Sequence, residues 1–371
     1  MVRMTLLQAA AMTPADVLLV TRQFAQRWGG AEHSIAEVLA ELTAARPGLR
    51  CTVTDAGFDP PDRLRPLPLV ALARHRNRLR ATAATAHGSR LVMAQSLVAP
   101  MLINALPERV PVAYFLRDVA YWDQWPNNES GLRRAAKAAY RLALAPFIGL
   151  FRQENRRALH RADLVVANSS FMAERIRAVC DRDALVVFPR TPVAETPLAP
   201  GDMVGMAGDG ADKGGAIVRA LARRFPDLRF RVHSRKTSLD DVPANIIAAP
   251  WEHAPDRLYS GLRLMLMPSQ VAEAYGRVAL EAQGHGVPVL ASDVGGLPEN
   301  VPGSLWRVND YRSAEAWVRA FGPAWQAAAT ARGAVHAFAL NRRREADRQH
   351  QDLIGRLAAL IDHGRVRIGD A

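Results

Sequence analysis

Two glutamates, Glu273 and Glu281, stand with seven residues between them in VAEAYGRVALEAQGHGVPVLASDVGGLPE (residues 271–299), a stretch that also carries the pair Gly295 and Gly296. On one continuous helix, residues eight apart lie about 12 Å from each other and about 80° apart around the axis. Carboxylates so placed do not share one proton as a close acid pair. They suit two different parts of an extended ligand, each accepting hydrogen bonds from neutral hydroxyls such as those of a sugar or a ribose. The apolar run LRLMLM (262–267) precedes Glu273, and a helix is expected to start near Gly276, which puts Glu281 about one turn inside it. The backbone amides of Ala274, Tyr275 and Gly276 then stand at a helix N-terminus, where polar or anionic groups are favoured.

Elements of a particular kind must hold such a loop. Apolar runs read as buried strands at 16–25, 51–57, 90–96, 110–118 and 163–170, and a glycine turn feeds an amphipathic helix over 29–45. A long helical pattern over 130–162 is expected to break at Pro146 and Gly149. After a Pro-rich stretch within 184–202 the alternation restarts, with strands expected in 203–225, 228–234, 245–250, 262–269 and 287–292. Strands alternating with helices predict parallel sheets covered on both faces, so the expected fold class is α/β, with two Rossmann-like doubly wound domains facing across a cleft. The expected domains are 1–195 on the acceptor side, 203–340 on the donor side, and a C-terminal helix, 341–371, packing back on the first.

Composition narrows the function classes. At 371 residues, two cores are expected rather than one. No apolar run approaches the length that spans a bilayer, and the N-terminal MVRMTLLQAAAMTPAD lacks the pattern of a secretory signal. Cys51 and Cys180 are far apart and have no metal-ligand spacing, which points to a reducing cytoplasm and to neither a disulfide framework nor a zinc site. The excess of 48 Lys and Arg over 36 Asp and Glu favours anionic partners. No helix-turn-helix, zinc-finger or aromatic RNA-binding motif accompanies that charge, so nucleic acid is not the expected partner.

PSQVAEAYGRVALEAQGHGVPVLASDVGGLPE resembles the E-x7-E signature of retaining glycosyltransferases of family 4, the glycosyl transferases group 1, which have the GT-B fold. RWGGAE (27–32) is similar to that family's N-terminal glycine loop, ADLVVANSSFMAERI to the last helix of its first domain, and DKGG to its diphosphate lysine loop. The resemblance implies transfer of a sugar from a nucleoside-diphosphate sugar, with retention, without a metal or other cofactor. It implies that Glu273 contacts the donor sugar, Glu281 holds the ribose, Lys213 faces the diphosphate, and Gly29 and Gly30 let backbone approach it. A saccharide or lipid-linked saccharide is the implied acceptor, in glycan or polysaccharide biosynthesis. Two alternatives stand beside this reading: a catalytically idle nucleotide-sugar-binding homologue, and an enzyme like a UDP-sugar 2-epimerase on the same architecture.

The chain departs from the family pattern in two places. GMAGDGAD (205–212) lacks the arginine that precedes the diphosphate lysine, and Arg235, just after the next strand, is either its replacement or a surface residue of a basic protein. Where the family has a His-Asp pair near the reacting sugar, this chain has Arg117 and Asp118 in FLRDVAYWDQW, so acceptor recognition is expected to involve them with Tyr121 and Trp122. The segment 133–157 combines an apolar stretch with basic flanks, a pattern that suits either a core helix or one resting on an anionic membrane surface. The expected location is the cytoplasm, with peripheral contact at the inner face of the cytoplasmic membrane.

Overall fold

The structure is a computed structural model that describes residues 15–21, 30–55, 82–95, 99–117, 132–234 and 242–364. The chain divides into two compact units. The first contains the described residues up to Phe188 together with those from Arg348 onward, and the second contains Pro189–Asp347. The changeovers thus fall at Phe188 and Asp347, not near residues 195 and 340. Hydrogen bonding accounts for both positions. Gln349 accepts from the Phe188 amide, whereas Arg190 pairs with Asp347 and Arg343 donates to the Thr191 carbonyl.

In the first unit, the strands are β1 (Val17–Thr21), β2 (Cys51–Asp55), β3 (Leu91–Gln95), β4 (Val112–Leu116), β5 (Leu164–Ala167) and β6 (Leu185–Val186). They pair in parallel in the order β2-β1-β3-β4-β5-β6. The helices are α1 (Gly30–Ala45), α2 (Ala99–Ala105), α3 (Leu132–Arg161) and α4 (Ser170–Cys180). Strands β1, β3 and β4 are buried at every position, because a parallel sheet is covered on both faces and its strands read as unbroken apolar runs. Ser169 caps α4, accepting from the Met172 amide at 3.0 Å.

The expected break in the long helix does not occur: α3 continues through Pro146 and Gly149. A proline inside a helix removes one backbone bond, here to the carbonyl of Leu142. Pro146 and Leu142 are both exposed, so water can satisfy that carbonyl, and the remaining turns carry the helix on.

In the second unit, the strands are β7 (Met203–Ala207), β8 (Phe230–Ser234), β9 (Ile246–Pro250), β10 (Leu262–Met267), β11 (Val289–Ser292) and β12 (Arg307–Val308). Their order is β12-β11-β10-β7-β8-β9, again parallel throughout. The helices are α5 (Gly215–Arg224), α6 (Pro255–Tyr259), α7 (Arg277–Gly284), α8 (Leu297–Asn300), α9 (Ala314–Ala327) and α10 (Arg332–His363). Alternate residues of β10 build the two layers of core. Leu264 and Leu266 join Trp317 and Phe321 of α9 on one face, while Met265 and Met267 join Ala279 and Ala282 of α7 on the other. Each fully buried side chain of this size contributes about 1.5–3 kcal/mol.

Helix α10 belongs to both units along its length. In the second, Arg332 donates to the Leu198 and Leu262 carbonyls and His336 to that of Ala194, tying down the Pro-rich stretch. In the first, Leu353, Leu357 and Ile361, at helical spacing, enter the core beside α1 and β1. Among the described residues no helix is long and apolar enough to cross a membrane.

Candidate functional site

The order of the second sheet reverses between β7 and β10: β8 and β9 follow on one side, β11 and β12 on the other. At such a switch point the loops leaving the carboxyl ends of the central strands diverge and leave room for a ligand. The loops are Gly208–Gly214, leading to α5, and Pro268–Gly276, leading to α7.

Their backbones are stitched together. Gln270 N donates to the Asp212 carbonyl at 2.8 Å. Gly214 has φ +80°, and a Cβ there would lie 2.0 Å from the Pro268 carbonyl oxygen, so only glycine permits the approach. On the other flank Glu273 forms a parallel bridge with Gly295, and its carbonyl accepts from Gly296 N at 2.8 Å. Gly295 has φ +65°, and a Cβ there would lie 2.4 Å from the Glu273 carbonyl oxygen.

This frame brings two of the expected residues into contact. Lys213 Nζ donates to Glu273 Oε1 at 2.5 Å, and Ser269 Oγ donates to the same oxygen at 2.8 Å. The ammonium is the more open partner, 41% exposed against 19% for the glutamate side chain. A pair this exposed is worth about 1 kcal/mol or less to folding, so it can be exchanged for a ligand at small cost.

Ala274, Tyr275 and Gly276 run from Glu273 into α7, with Gly276 as the left-handed cap. The Tyr275 side chain is buried, its hydroxyl held above the usual phenol range by burial, and its carbonyl accepts from Asn300 Nδ2 at 2.5 Å. Glu281 lies one turn inside α7. Its Oε2 accepts from the Tyr259 hydroxyl at 3.2 Å and its Oε1 is 3.4 Å from the Arg277 guanidinium. Because α7 begins at Arg277, only Glu281 of the two glutamates is helical, and the 12 Å spacing of a continuous helix does not apply to the pair.

The remaining expected residues are distributed as follows. Gly30 opens α1 in the first unit, after β1, the strand at which that sheet's order reverses. Arg117 follows β4 there; it is buried, with its guanidinium carbon 5.3 Å from the centre of the Phe115 ring. Gly29, Asp118, Tyr121, Trp122 and Arg235 lie outside the described residues. Sequence reasoning missed the roles of Ser269, Tyr259 and Arg277. Arg277 and Glu281 could have been found as an i, i+4 charge pair. Tyr259 carries no local signal, since α6 is joined to Glu281 only by the fold.

Residues 215–322 match the family model described as glycosyl transferases group 1. The fold is GT-B. The chain is similar to Anabaena Alr3699/HepE in complex with UDP and glucose, with TM-score 0.61 and 16% identity, over 93% of this chain and 100% of that one. It is similar to sucrose-phosphate synthase from Thermosynechococcus elongatus, with TM-score 0.62 and 16% identity, over 93% and 97% of the two chains. WaaG, a glycosyltransferase involved in lipopolysaccharide biosynthesis, gives TM-score 0.59 and 17% identity, over 94% and 100%. No curated protein sequence matches the chain. The family match lies wholly within the second unit and includes the switch-point loop Pro268–Gly276.

Proposed function

We propose that the protein is a metal-independent, retaining glycosyltransferase of family 4 that moves a sugar from a nucleoside-diphosphate sugar to a saccharide or lipid-linked saccharide acceptor in glycan or polysaccharide biosynthesis. The observation that carries this reading is the Lys213–Glu273 contact at the switch point of the second sheet. It sets a cation beside a hydroxyl-accepting carboxylate, a pairing that supports recognition of a sugar diphosphate. Lys213 and the amides of Ala274, Tyr275 and Gly276 face the diphosphate, Glu273 the donor sugar and Glu281 the ribose. Gly29 and Gly30 keep the backbone-approach role, and Arg117 and Asp118 the acceptor role, that the family resemblance implies. Arg235 supplies the positive charge that residues 205–212 lack.

In the transfer step the bond from the anomeric carbon to the diphosphate oxygen breaks and a bond from the acceptor oxygen forms on the same face. The acceptor's proton passes to the departing diphosphate. Stabilising the charge on that leaving group is the largest electrostatic task, and Lys213 meets it.

The protein is cytoplasmic, with residues 133–157 resting on an anionic membrane surface. Leu142 and Leu150 are exposed on α3, and Arg152, Arg156 and Arg157 are exposed beside them. It is expected to sediment with anionic vesicles and not with zwitterionic ones; equal behaviour with both would remove the membrane from the proposal.

The deciding experiment is a calorimetric panel of UDP, GDP and ADP, beginning with UDP because HepE was solved with it, followed by an assay of transfer from the matching sugar donors. Binding followed by transfer with retained configuration supports the proposal. The missing arginine favours one second reading, the idle homologue, and binding without transfer or hydrolysis would establish that instead.

A further inference from the structure

Two side chains hold the Glu281 carboxylate, and the reading above uses neither. Tyr259, the last residue of α6 and fully buried, donates its hydroxyl to Oε2 at 3.2 Å, the shorter of its two contacts, with the Val278 carbonyl at 3.4 Å as the second acceptor. Arg277, the first residue of α7, brings Nη2 to 3.4 Å from Oε1. A different group therefore addresses each oxygen: the phenol hydrogen-bonds to Oε2, and the guanidinium forms an ion pair with Oε1. An ionised carboxylate has about four lone-pair positions and the phenol takes one, so each oxygen keeps at least one available. They are reachable, since the Glu281 side chain keeps 17% of its surface open.

The support beneath is equally specific. His285 closes α7, its Nδ1–H donating to the Glu281 carbonyl at 2.6 Å, and its ring lies 5.2 Å from that of Tyr259. Burial first, then the charge of Glu281 and its hydrogen bond, hold the Tyr259 hydroxyl far above the usual phenol range. It therefore remains a protonated donor at neutral pH. A glutamate rotating freely on a helix would lose several torsions on meeting a ligand, whereas this one has lost them already.

We propose that Tyr259 and Arg277 are positioning residues that preset the Glu281 carboxylate for a vicinal diol, making the site select ribonucleotides over 2′-deoxyribonucleotides. The inference rests on the reading of Glu281 as the ribose-holding residue. One open position on each oxygen matches two neighbouring hydroxyls. A 2′-deoxy sugar leaves one of those oxygens facing no donor in a largely buried setting, which is where a missing hydrogen bond costs most. Arg277 adds charge compensation, so the diol meets a carboxylate that is already balanced.

The test is titration calorimetry of the full-length protein with UDP and 2′-deoxy-UDP, and with the GDP and ADP pairs if UDP does not bind. Wild type, Tyr259→Phe, Arg277→Met and Arg277→Lys are compared, with melting curves on the same samples. Wild type is expected to prefer the ribonucleotide by about tenfold, the size of one hydrogen bond to a charged acceptor. Tyr259→Phe and Arg277→Met are expected to reduce that preference to about twofold by weakening the ribonucleotide alone, because they loosen an acceptor that the deoxy sugar uses less. Arg277→Lys should recover part of it. If folded Tyr259→Phe and Arg277→Met keep the wild-type preference, the two residues only pack and the inference falls, while the nucleotide reading stands. If wild type binds none of the three ribonucleotides, the nucleotide reading fails and takes this inference with it. Arg277 is partly exposed, so its variants carry the test should Tyr259→Phe not fold.

Discussion

Lys213 and Glu273 serve each other as counter-ions, yet the function proposed for Lys213 requires it to serve a diphosphate. The carboxylate thus competes with the ligand for the ammonium, and the two residues should respond to mutation in opposite directions. Lys213→Met is expected to weaken UDP by about tenfold or more, the worth of a charge-assisted hydrogen bond. Glu273→Gln is expected to leave UDP binding unchanged or to tighten it, while sugar transfer falls by about 100-fold, roughly 2.7 kcal/mol of lost transition-state stabilisation. Calorimetry with UDP and initial rates with the sugar donor separate the two effects. Equal weakening of UDP by both variants would show that Glu273 does not compete for Lys213. At this scale the sequence was partly legible. Glu273, Glu281 and Lys213 follow strands at recognisable spacings, so their loops could be placed before the fold was known. The contacts that orient them come from Ser269 and Tyr259, whose meaning depends on the register of β10 against β7 and on where α6 ends, and no local pattern encodes either.

At the scale of elements, the loops work because glycine allows backbones to touch. Gly214→Ala would drive a methyl group into the Pro268 carbonyl at a left-handed φ, and is expected to cost about 1–3 kcal/mol or more and to abolish UDP binding. Gly355, inside α10 with open space around its Cα, is the control: Gly355→Ala is expected to raise stability by about 0.5–1 kcal/mol, as helix propensity dictates. Urea denaturation of the two variants tests both signs. Strand β8 adds a pH dependence. Burial pushes the His233 imidazole below its usual 6.5, with Arg231 acting the same way and the hydrogen bond to the Pro250 carbonyl and the charge of Glu252 opposing. Below 6.5 the unfolded chain binds a proton that the folded chain resists, so His233 lowers stability as pH falls through that value, and above it the penalty vanishes. His233→Gln should therefore melt with a flatter pH profile between neutral and acid conditions, and an unchanged slope would contradict the buried neutral state. The elements themselves were legible where apolar runs met turn residues, as in β1, β3, β4 and β10. Helix α9 was passed over, although Ser313 caps it, because Gly322 and Pro323 interrupt its pattern. Pro146 misled in the opposite sense: a proline on a solvent-facing turn removes one bond without ending a helix.

At the scale of the whole molecule, two parallel sheets were readable from the restart of strand and helix alternation near residue 203, whereas the changeovers between units were not. They depend on Gln349 reaching the Phe188 amide and on Asp347 pairing with Arg190, contacts more than 150 residues apart in the chain. The consequence is that the first unit is completed by the last turns of α10. Leu353, Leu357 and Ile361 fill its core beside Val17, Leu19 and Leu42, and Arg46 and Arg90 pair with Asp362. Losing a single buried leucine of this kind costs about 2–5 kcal/mol, and a domain has only about 5–15 kcal/mol in total. A chain ended after Asp347 should therefore lose the first unit while keeping the second, whose cores around Leu264 and Met265 are built from residues before that point. Limited proteolysis is expected to degrade residues up to 188 quickly and to leave a fragment near Pro189–Asp347 intact. Leu357→Ala in the full chain should reproduce the sensitivity in weaker form, with cleavage again confined to the first unit. Persistence of a protease-resistant first unit in the shortened chain would mean that the core closes without α10, and the three apolar side chains would then be covering it rather than completing it.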